Sequence, residues 1–414
     1  MFKSKQKNQK NKTKIGFFIC GLTGGPYFPI PAILQQLPSI KPILVGVKNS
    51  YEAKISQTQN IPIVYLPQVK LNLVSFKNQN ISEVIWGILE LVWLVFVFGF
   101  SFGRCVFLLL KYQPVLVYGT GSFLQVPMMW ATKLTNLFSL TKTRIVVHQQ
   151  DPLVGLATKL TLGLADLSSC VFTESNTNFA VNSNNNFNTY TKSKFNFNYI
   201  ISNPIIPEKY IKSNQWSNQG LCNFVSSSKP KPVLLIFGGG SGALFINNWV
   251  NNNLLSLTPK YKIVHITGLL QNTNLLQKNE DYDNLNISLN LPLKPSLDYF
   301  QMEAVFEDMP VLMANVDLVI CRAGLGSISE LSFLAKPTFL VPLPDTHQEL
   351  NAKLSIKKYP NFVLLEQKNV NTWLDTVLAV SLTKSIGDCN CNGNFDQISS
   401  SNLKGYYDTL SSLV

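Results

Sequence analysis

The sequence predicts an α/β protein made of two Rossmann-like domains with parallel sheets and a cleft between them. Three observations predict it. Short apolar runs alternate with polar loops and helical patterns, the signature of a parallel sheet covered by helices. Several of these runs end in glycine-rich loops, as at 238–243 and 322–330. The opening of strand, glycine loop and helix then occurs in both halves, at residue 15 and again after Asn203-Pro204.

The elements follow in order. Residues 15–20 form a first strand that ends in GLTGGPYFP, and a helical pattern covers about 31–37. Strand-like runs come at 43–47, 61–66 and 115–118, the last ending in Gly119-Thr120-Gly121-Ser122. Residues 145–147 lead into HQQDP. In the second half, 233–237 runs into GGGSGA and a helix from about 244; 262–266 precedes Thr267-Gly268. Residues 316–321 run into RAGLGSISE, and 338–341 into PLPDTHQELNA. The expected organisation is a basic arm (1–14), a first domain (15–203), a second domain (204–383), and a polar linker with a C-terminal helix (384–414) packing back on the first domain. Asn-rich 176–198 and polar 385–396 read as surface loops.

Composition narrows the classes. With 414 residues, 46% of them hydrophobic, the chain has material for more than one core and is not a disordered protein. Only 14% are charged, against about 25% in ordinary proteins, and the mean hydropathy is +0.12, so part of the chain is expected to lie against lipid. The net charge of +12 fits an anionic partner such as nucleotide phosphates, nucleic acid or an acidic membrane surface. Six lysines fall in the first 14 residues, either as a solvated arm or as a contact to anionic lipid. Seven cysteines without C-x-x-C read as reduced, buried thiols of a cytosolic protein. The three scattered histidines lack metal-ligand spacing, so no metal site is expected. The apolar run at 15–20 is too short for a signal peptide.

Segment 84–110 is apolar on all faces, with Glu90 and Arg104 as its charges. A membrane span is rejected, because it would separate strand 115–118 from its expected partner 15–20. Two readings remain. One is a buried core helix; the preferred one is a helix that shows Trp86, Trp93, Phe96, Phe98 and Phe100 to the bilayer surface.

GGGSGA suits close approach of backbone to a phosphate at a helix N-terminus. It also fits a weak dinucleotide fingerprint, but the acid expected at the end of the next strand is missing, and NAD is discounted. In RAGLGSISE the amides after Gly324 are placed to hold a diphosphate. Glu330 there has two readings: it accepts from ribose hydroxyls, or it caps its helix in a box with Ser327. His347, Gln348 and Asn351 past the next strand suit a hydrogen-bonding sugar site.

Taken together and in order, GLTGGPYFP, GTGSF, HQQDP–VGLATK–LAD, NPI, GGGSGA, RAGLGSISE and DTHQELNA resemble the MurG family over about residues 15–365. These are the N-acetylglucosaminyltransferases that make lipid II for peptidoglycan. The resemblance implies a GT-B fold, UDP-N-acetylglucosamine as donor on the second domain, and undecaprenyl-linked lipid I as acceptor. It implies a peripheral enzyme on the cytoplasmic face of the plasma membrane, attached to an anionic surface, with neither cofactor, metal nor nucleic acid. The muramoyl 4-hydroxyl would displace UDP with inversion.

By position, the resemblance places Glu330 on the ribose, and Leu325, Gly326, Ser327, Ile328 and Ser329 around the diphosphate, with Arg322 beside them. It sets Phe306 against uracil and Gln348 with His347 on the sugar hydroxyls. Gly239, Gly240 and Ser241 fall beside the nucleotide; Thr23, Gly24, Gly25, Gly121 and Ser122 line the acceptor side. The chain departs from the family pattern at Pro26 (usually histidine), Gln149 (usually glutamate) and Ile206 (usually arginine). The candidate base is then Asp151, the only carboxylate of HQQDP, with His148 as runner-up; alternatively Asp151 caps a helix from about 153. Two other functions compete: a related GT-B UDP-sugar transferase or epimerase with another acceptor, and a non-catalytic scaffold that binds nucleotide or membrane.

Overall fold

A computed structural model describes residues 14–21, 24–48, 50–67, 81–172, 177–179, 190–192, 197–201, 203–206, 216–227, 231–239, 242–268, 298–305, 307–380 and 397–414. The chain forms two units, Met1–Pro204 with Ile398–Val414, and Ile205–Gln397. Most of the basic arm lies outside the described residues. Lys14 does not belong to it, because it already opens the first strand.

The first unit holds a seven-stranded parallel sheet in the order β3-β2-β1-β4-β5-β6-β9. Its strands are β1 (Lys14–Ile19), β2 (Ile40–Gly46), β3 (Ile63–Tyr65), β4 (Leu116–Gly119), β5 (Arg144–Gln149), β6 (Leu167–Cys170) and β9 (Tyr199–Ile200). Side chains alternate between the two faces, as strands require. Phe17, Ile19, Val45 and Val117 meet Cys105, Leu108 and Leu109 of helix α4 (Ile81–Tyr112) and Met128 and Met129 of α5 (Gln125–Leu137). On the opposite face, Phe18, Leu44 and Tyr118 meet Ile30 and Ile33 of α2 (Ile30–Gln36), and Tyr406 and Leu410 of the C-terminal helix Gln397–Leu413.

Helix α4 is the crossover from β3 to β4. Its stretch Val92–Tyr112 is long and apolar enough to cross a membrane. Yet its last turns are built into the core, and β4 pairs with β1 in parallel from Gly16↔Leu116 to Ile19↔Gly119. That is the pairing on which a span was rejected.

The segment 176–198 departs from a plain loop. It contains an antiparallel pair, β7 (Thr177–Phe179) and β8 (Tyr190–Lys192). The threonines and aromatics at its two ends favour extended pairing, whatever the asparagines between them do. Residues 385–396 lie outside the described residues.

The second unit is a six-stranded parallel sheet in the order β12-β11-β10-β13-β14-β15. Its strands are β10 (Val233–Phe237), β11 (Lys262–Ile266), β12 (Tyr299–Met302), β13 (Leu318–Arg322), β14 (Thr338–Val341) and β15 (Phe362–Leu364). Leu234, Ile263, Ile320 and Phe339 form a core with Ile246, Trp249, Trp373 and Val377.

In both sheets the strand order reverses beside the founding strand: β1 is followed outward by β2 and β3 and flanked on the other side by β4, and β10 stands likewise between β11 and β13. Ligands of open α/β sheets bind beyond the carboxyl ends at such a switch point. The loops after β1, β4, β10 and β13 are the glycine-rich ones.

Among the described residues the cysteines are free thiols; Cys20, Cys105, Cys170 and Cys321 are buried. Burial pushes the Cys105 thiol up to about 12, so it is an inert core residue. Cys389 and Cys391 lie outside the described residues.

Candidate active site

In the first unit the loop after β1 folds back on itself. A Cβ on Gly21 would meet Pro26 Cγ at 2.8 Å, so the glycine is needed for this close approach. Gly24–Tyr27 then form a single helical turn, α1. Two side chains from neighbouring strands hold its carbonyls: Thr120 Oγ1 donates to Pro26 O at 2.8 Å, and Gln150 Nε2 to Gly25 O at 3.1 Å. In the loop after β4, Gly121 has φ +95°, and its amide donates to Gln125 Oε1 at 2.9 Å. Ser122 Oγ accepts from Leu124 N at 3.4 Å. Gly25, Gly121 and Ser122 thus stand on adjacent loops at one sheet edge, with Thr120 linking them. Thr23 lies outside the described residues, and of Gly24 only the backbone is described.

HQQDP corrects the sequence reading twice. His148 is fully buried in β5, with Nδ1 2.9 Å from Ser169 Oγ and Nε2 3.3 Å from Asn203 Oδ1. Burial lowers its pKa to about 4, partly offset by the Asn203 bond. A ring with both nitrogens engaged inside the core is structural; it cannot reach a sugar hydroxyl as it stands. Asp151 does not cap a helix from 153. Helix α6 (Leu156–Thr161) begins later, with Gly155 at its N-cap, because residues 151–155 are bent and extended. Asp151 is partly exposed. Gln149 donates to the carbonyls of Asp151 (2.9 Å) and Leu153 (3.0 Å), so it shapes the turn that presents the carboxylate.

In the second unit the loop after β10 is a tight turn, with Gly239 at φ +89°, Gly242 at φ +86°, and Gly242 N donating to Gly239 O at 3.0 Å. A Cβ on Gly242 would collide with the Thr267 carbonyl. Gly240, Ser241 and Phe306 lie outside the described residues. A buried His265 braces this edge: Nδ1 meets Tyr299 Oη and Nε2 meets Asn247 Oδ1, both at 2.9 Å. Asn247 donates in turn to Thr267 O at 3.0 Å.

After β13, helix Leu325–Phe333 starts at once, with Gly324 at its N-cap and no side-chain cap. This overturns the capping box. Gly324 takes the extended cap position, so Ser327 is already inside the first turn and Glu330 in the second, too far along to cap. The first amides, on Leu325, Gly326 and Ser327, are left without a side-chain cap, an arrangement that suits an anion. Ser329 Oγ donates back to Leu325 O at 2.6 Å, and Ile328 packs inward. The Glu330 charge lies near Cys321; burial first and that charge second push the Cys321 thiol up. Arg322 does not point freely at a ligand: Nη1 donates to Val341 O and Pro342 O at 3.3 and 3.2 Å, fastening the end of β14.

Helix His347–Lys358 follows β14, capped by Thr346 Oγ1, which accepts from Gln348 N at 3.2 Å. His347 is exposed at its first position, and Gln348 Oε1 accepts from Leu343 N at 3.1 Å, leaving its amide NH₂ for a ligand. Asn351, fully buried, ties this helix to the loop after β13 by donating to Ala323 O at 3.2 Å. Among the described residues no group of three or more His, Cys, Asp or Glu is placed to hold a metal.

The first unit also exposes an apolar face wider than segment 84–110. Trp93 (65% exposed), Phe96 (64%) and Phe100 of α4 are joined by Trp130, Leu134 and Leu137 of α5, and Leu156 and Leu160 of α6. Trp130 Nε1 donates to Leu160 O at 3.2 Å, holding α5 to α6. Only the backbone of Trp86 is described.

Solved structures share this architecture. MurG of Acinetobacter baumannii superposes with a TM-score of 0.57 at 17% identity, covering 97% of this chain and 99% of that one. The calicheamicin glycosyltransferase CalG4 gives 0.53 at 12% identity, with 97% of each chain covered. Residues 233–386 match the glycosyltransferase family 28 C-terminal domain. Two Rossmann-like units, the second carrying this domain, define a glycosyltransferase of the GT-B fold. The resemblance to the MurG family holds over most of the chain. It is 27% identical over 361 residues to the UDP-N-acetylglucosamine--N-acetylmuramyl-(pentapeptide) pyrophosphoryl-undecaprenol N-acetylglucosamine transferase of Clostridium novyi, covering 84% of this chain and 85% of the relative. To the enzyme of the same name from Clostridium perfringens strain 13 it is 28% identical over 382 residues, 89% of each.

Proposed function

We propose that the chain transfers N-acetylglucosamine from UDP-N-acetylglucosamine to the muramoyl 4-hydroxyl of undecaprenyl-linked lipid I, giving lipid II. The observation that carries this reading is the match, over 84–89% of the chain, to relatives bearing that name. The open helix start at Leu325 and the glycine turn after β1 supply the chemistry it needs.

The first amides of helix Leu325–Phe333 hold the donor diphosphate, with the helix dipole offsetting its charge. Glu330, in the second turn of that helix, accepts from the ribose hydroxyls. Gln348 and His347 contact the sugar, Phe306 the uracil, and Gly239 to Ser241 flank the nucleotide. Thr23, Gly24, Gly25, Gly121 and Ser122 line the acceptor side. Asp151 takes the proton of the 4-hydroxyl as its oxygen bonds to the anomeric carbon; the bond from that carbon to the diphosphate breaks, and its electron pair leaves with UDP. Amides already aimed at that oxygen stabilise the charge without reorganising.

The aromatic face of α4, α5 and α6 docks on the cytoplasmic surface of the plasma membrane. Exposed Trp and Phe suit the headgroup boundary, and Lys111, Lys133 and Lys159 on the same helices suit anionic lipid. The deciding experiment measures UDP release from UDP-N-acetylglucosamine with a lipid I analogue. Turnover that depends on both substrates is expected. UDP binding without turnover on any lipid acceptor would leave a nucleotide-binding scaffold instead.

A further inference from the structure

The glycine turn after β1 is fastened by a buried chain of side chains whose every donor is set by its last link. The Gly25 carbonyl can only accept, so the group 3.1 Å from it must be Gln150 Nε2. Gln150 then turns Oε1 toward Asn203, which must answer with Nδ2, at 3.3 Å. That leaves Asn203 Oδ1 facing His148 Nε2 at 3.3 Å, so this nitrogen carries the ring proton. The bare Nδ1 accepts from the Ser169 hydroxyl at 2.9 Å. His148 and Ser169 are fully buried, and Asn203 and Gln150 are 4% and 7% exposed. Water is therefore poorly placed to replace a missing partner, and low dielectric strengthens each link.

We propose that Gln150 and Asn203 are positioning residues: through the Gly25 carbonyl they hold the Gly24–Tyr27 turn in the form that receives the acceptor sugar. The function of the turn rests on the reading above; the existence of the relay does not. Among the described residues the Gln150 amide hydrogen-bonds the Gly25 carbonyl and Asn203, so it acts through the turn and not on reacting atoms. His148 belongs to the relay as a neutral ring of one fixed tautomer, which accounts for a histidine kept in the core beside an active-site loop. The relay runs from Ser169 in β6 through His148 in β5, Asn203 and Gln150 to the turn after β1, and each member is in the first unit.

Three variants separate its links. Gln150→Leu removes both bonds. Gln150→Glu keeps an acceptor for Asn203 Nδ2 but offers a carboxylate oxygen to the Gly25 carbonyl, where a donor is needed. Asn203→Leu cuts the chain one link back. Each is studied in the full-length protein by hydrogen–deuterium exchange of the peptide covering 21–33, where Phe28 N donates to Gly25 O at 3.1 Å. Exchange there is expected to rise about tenfold or more in all three, with β2 and β10 unchanged. Steady-state rates are then expected to show KM for the lipid I analogue raised about tenfold or more, with KM for UDP-N-acetylglucosamine unchanged. Unchanged exchange in the Gln150 variants overturns the relay. Faster exchange with an unaltered acceptor KM overturns the positioning role. A wild-type protein without turnover refutes the function read above, while the exchange data still decide the relay.

Discussion

Asn351 donates from Nδ2 to the Ala323 carbonyl at 3.2 Å, and so binds the helix after β14 to the loop after β13. Among the described residues its Oδ1 is buried without a donor. An Asn351→Leu protein loses one hydrogen bond, worth about 0.5–1.5 kcal/mol, but also sheds an unpaired buried acceptor, so its stability should barely change. Its KM for UDP-N-acetylglucosamine should rise by about tenfold, because the loop proposed to hold the donor diphosphate has lost its tie. Steady-state titration of donor against fixed acceptor checks this; an unchanged donor KM rejects the link.

Glu330 lies in the second turn of its helix, so truncation removes no cap. Glu330→Ala should leave the melting temperature nearly in place while weakening UDP by about tenfold or more, the scale of a single hydrogen bond to a charged group. Calorimetric titration with UDP, alongside thermal unfolding, distinguishes ribose binding from a structural role. Equal UDP affinity in both proteins would remove Glu330 from the site.

Asp151 is not the N-cap of α6, a place held by Gly155. Asp151→Asn preserves shape but cannot take a proton, and a missing base costs about 10²–10⁴ in rate. Single-turnover measurement with intact UDP binding is the test. Near-normal turnover would mean that the proton goes elsewhere.

The apolar face predicts membrane behaviour. Alkaline carbonate should strip most of the protein from membranes, since α4 returns into a sheet rather than crossing. Trp93→Glu with Phe96→Glu should abolish flotation with anionic vesicles and leave unfolding unaffected, because both rings are mostly exposed. Retention through carbonate like that of an integral protein would revive a span.

Acid should soften both units. Burial lowers His148 and His265 to about 4, below the ordinary value of 6.5. The unfolded chain then binds more protons than the folded one between those limits, so stability rises with pH across that window and is lost as pH falls from 6.5 toward 4. Each ring accounts for on the order of 3 kcal/mol at 1.36 kcal/mol per pH unit. Urea midpoints measured at pH 7, 5.5 and 4.5 should fall steadily; a flat series contradicts it.

The strands that founded each sheet were legible because their apolar runs are unbroken, as in β1 and β10. Strand β6, Leu-Ser-Ser-Cys, was not: its serines look like loop, and only the structure supplies Asn198, which bonds Ser168, and His148, which bonds Ser169. The glycine loops were readable locally, but what holds them was not. Gln150 and Asn203 are 53 positions apart, and no periodicity links them. Helix starts were off by two or three residues where glycine took the cap from the expected polar residue, at Gly324 and Gly155. The apolar face was visible in α4 alone, because Lys133 and Lys159 interrupt α5 and α6 and hide the stripe from a linear reading.

Helix α4 carries the exposed Trp93 and Phe96 near its middle and the core residues Cys105, Leu108 and Leu109 near its end. One continuous helix therefore locks the two in phase. Inserting or deleting a single residue between them would rotate the outward stripe by roughly 100° against the sheet, turning its rings away from the side where α5 and α6 continue them. Side chains in this stretch can drift among apolar types with little effect. Its length cannot, and the segment should tolerate substitution far better than any change of frame in the helical wheel.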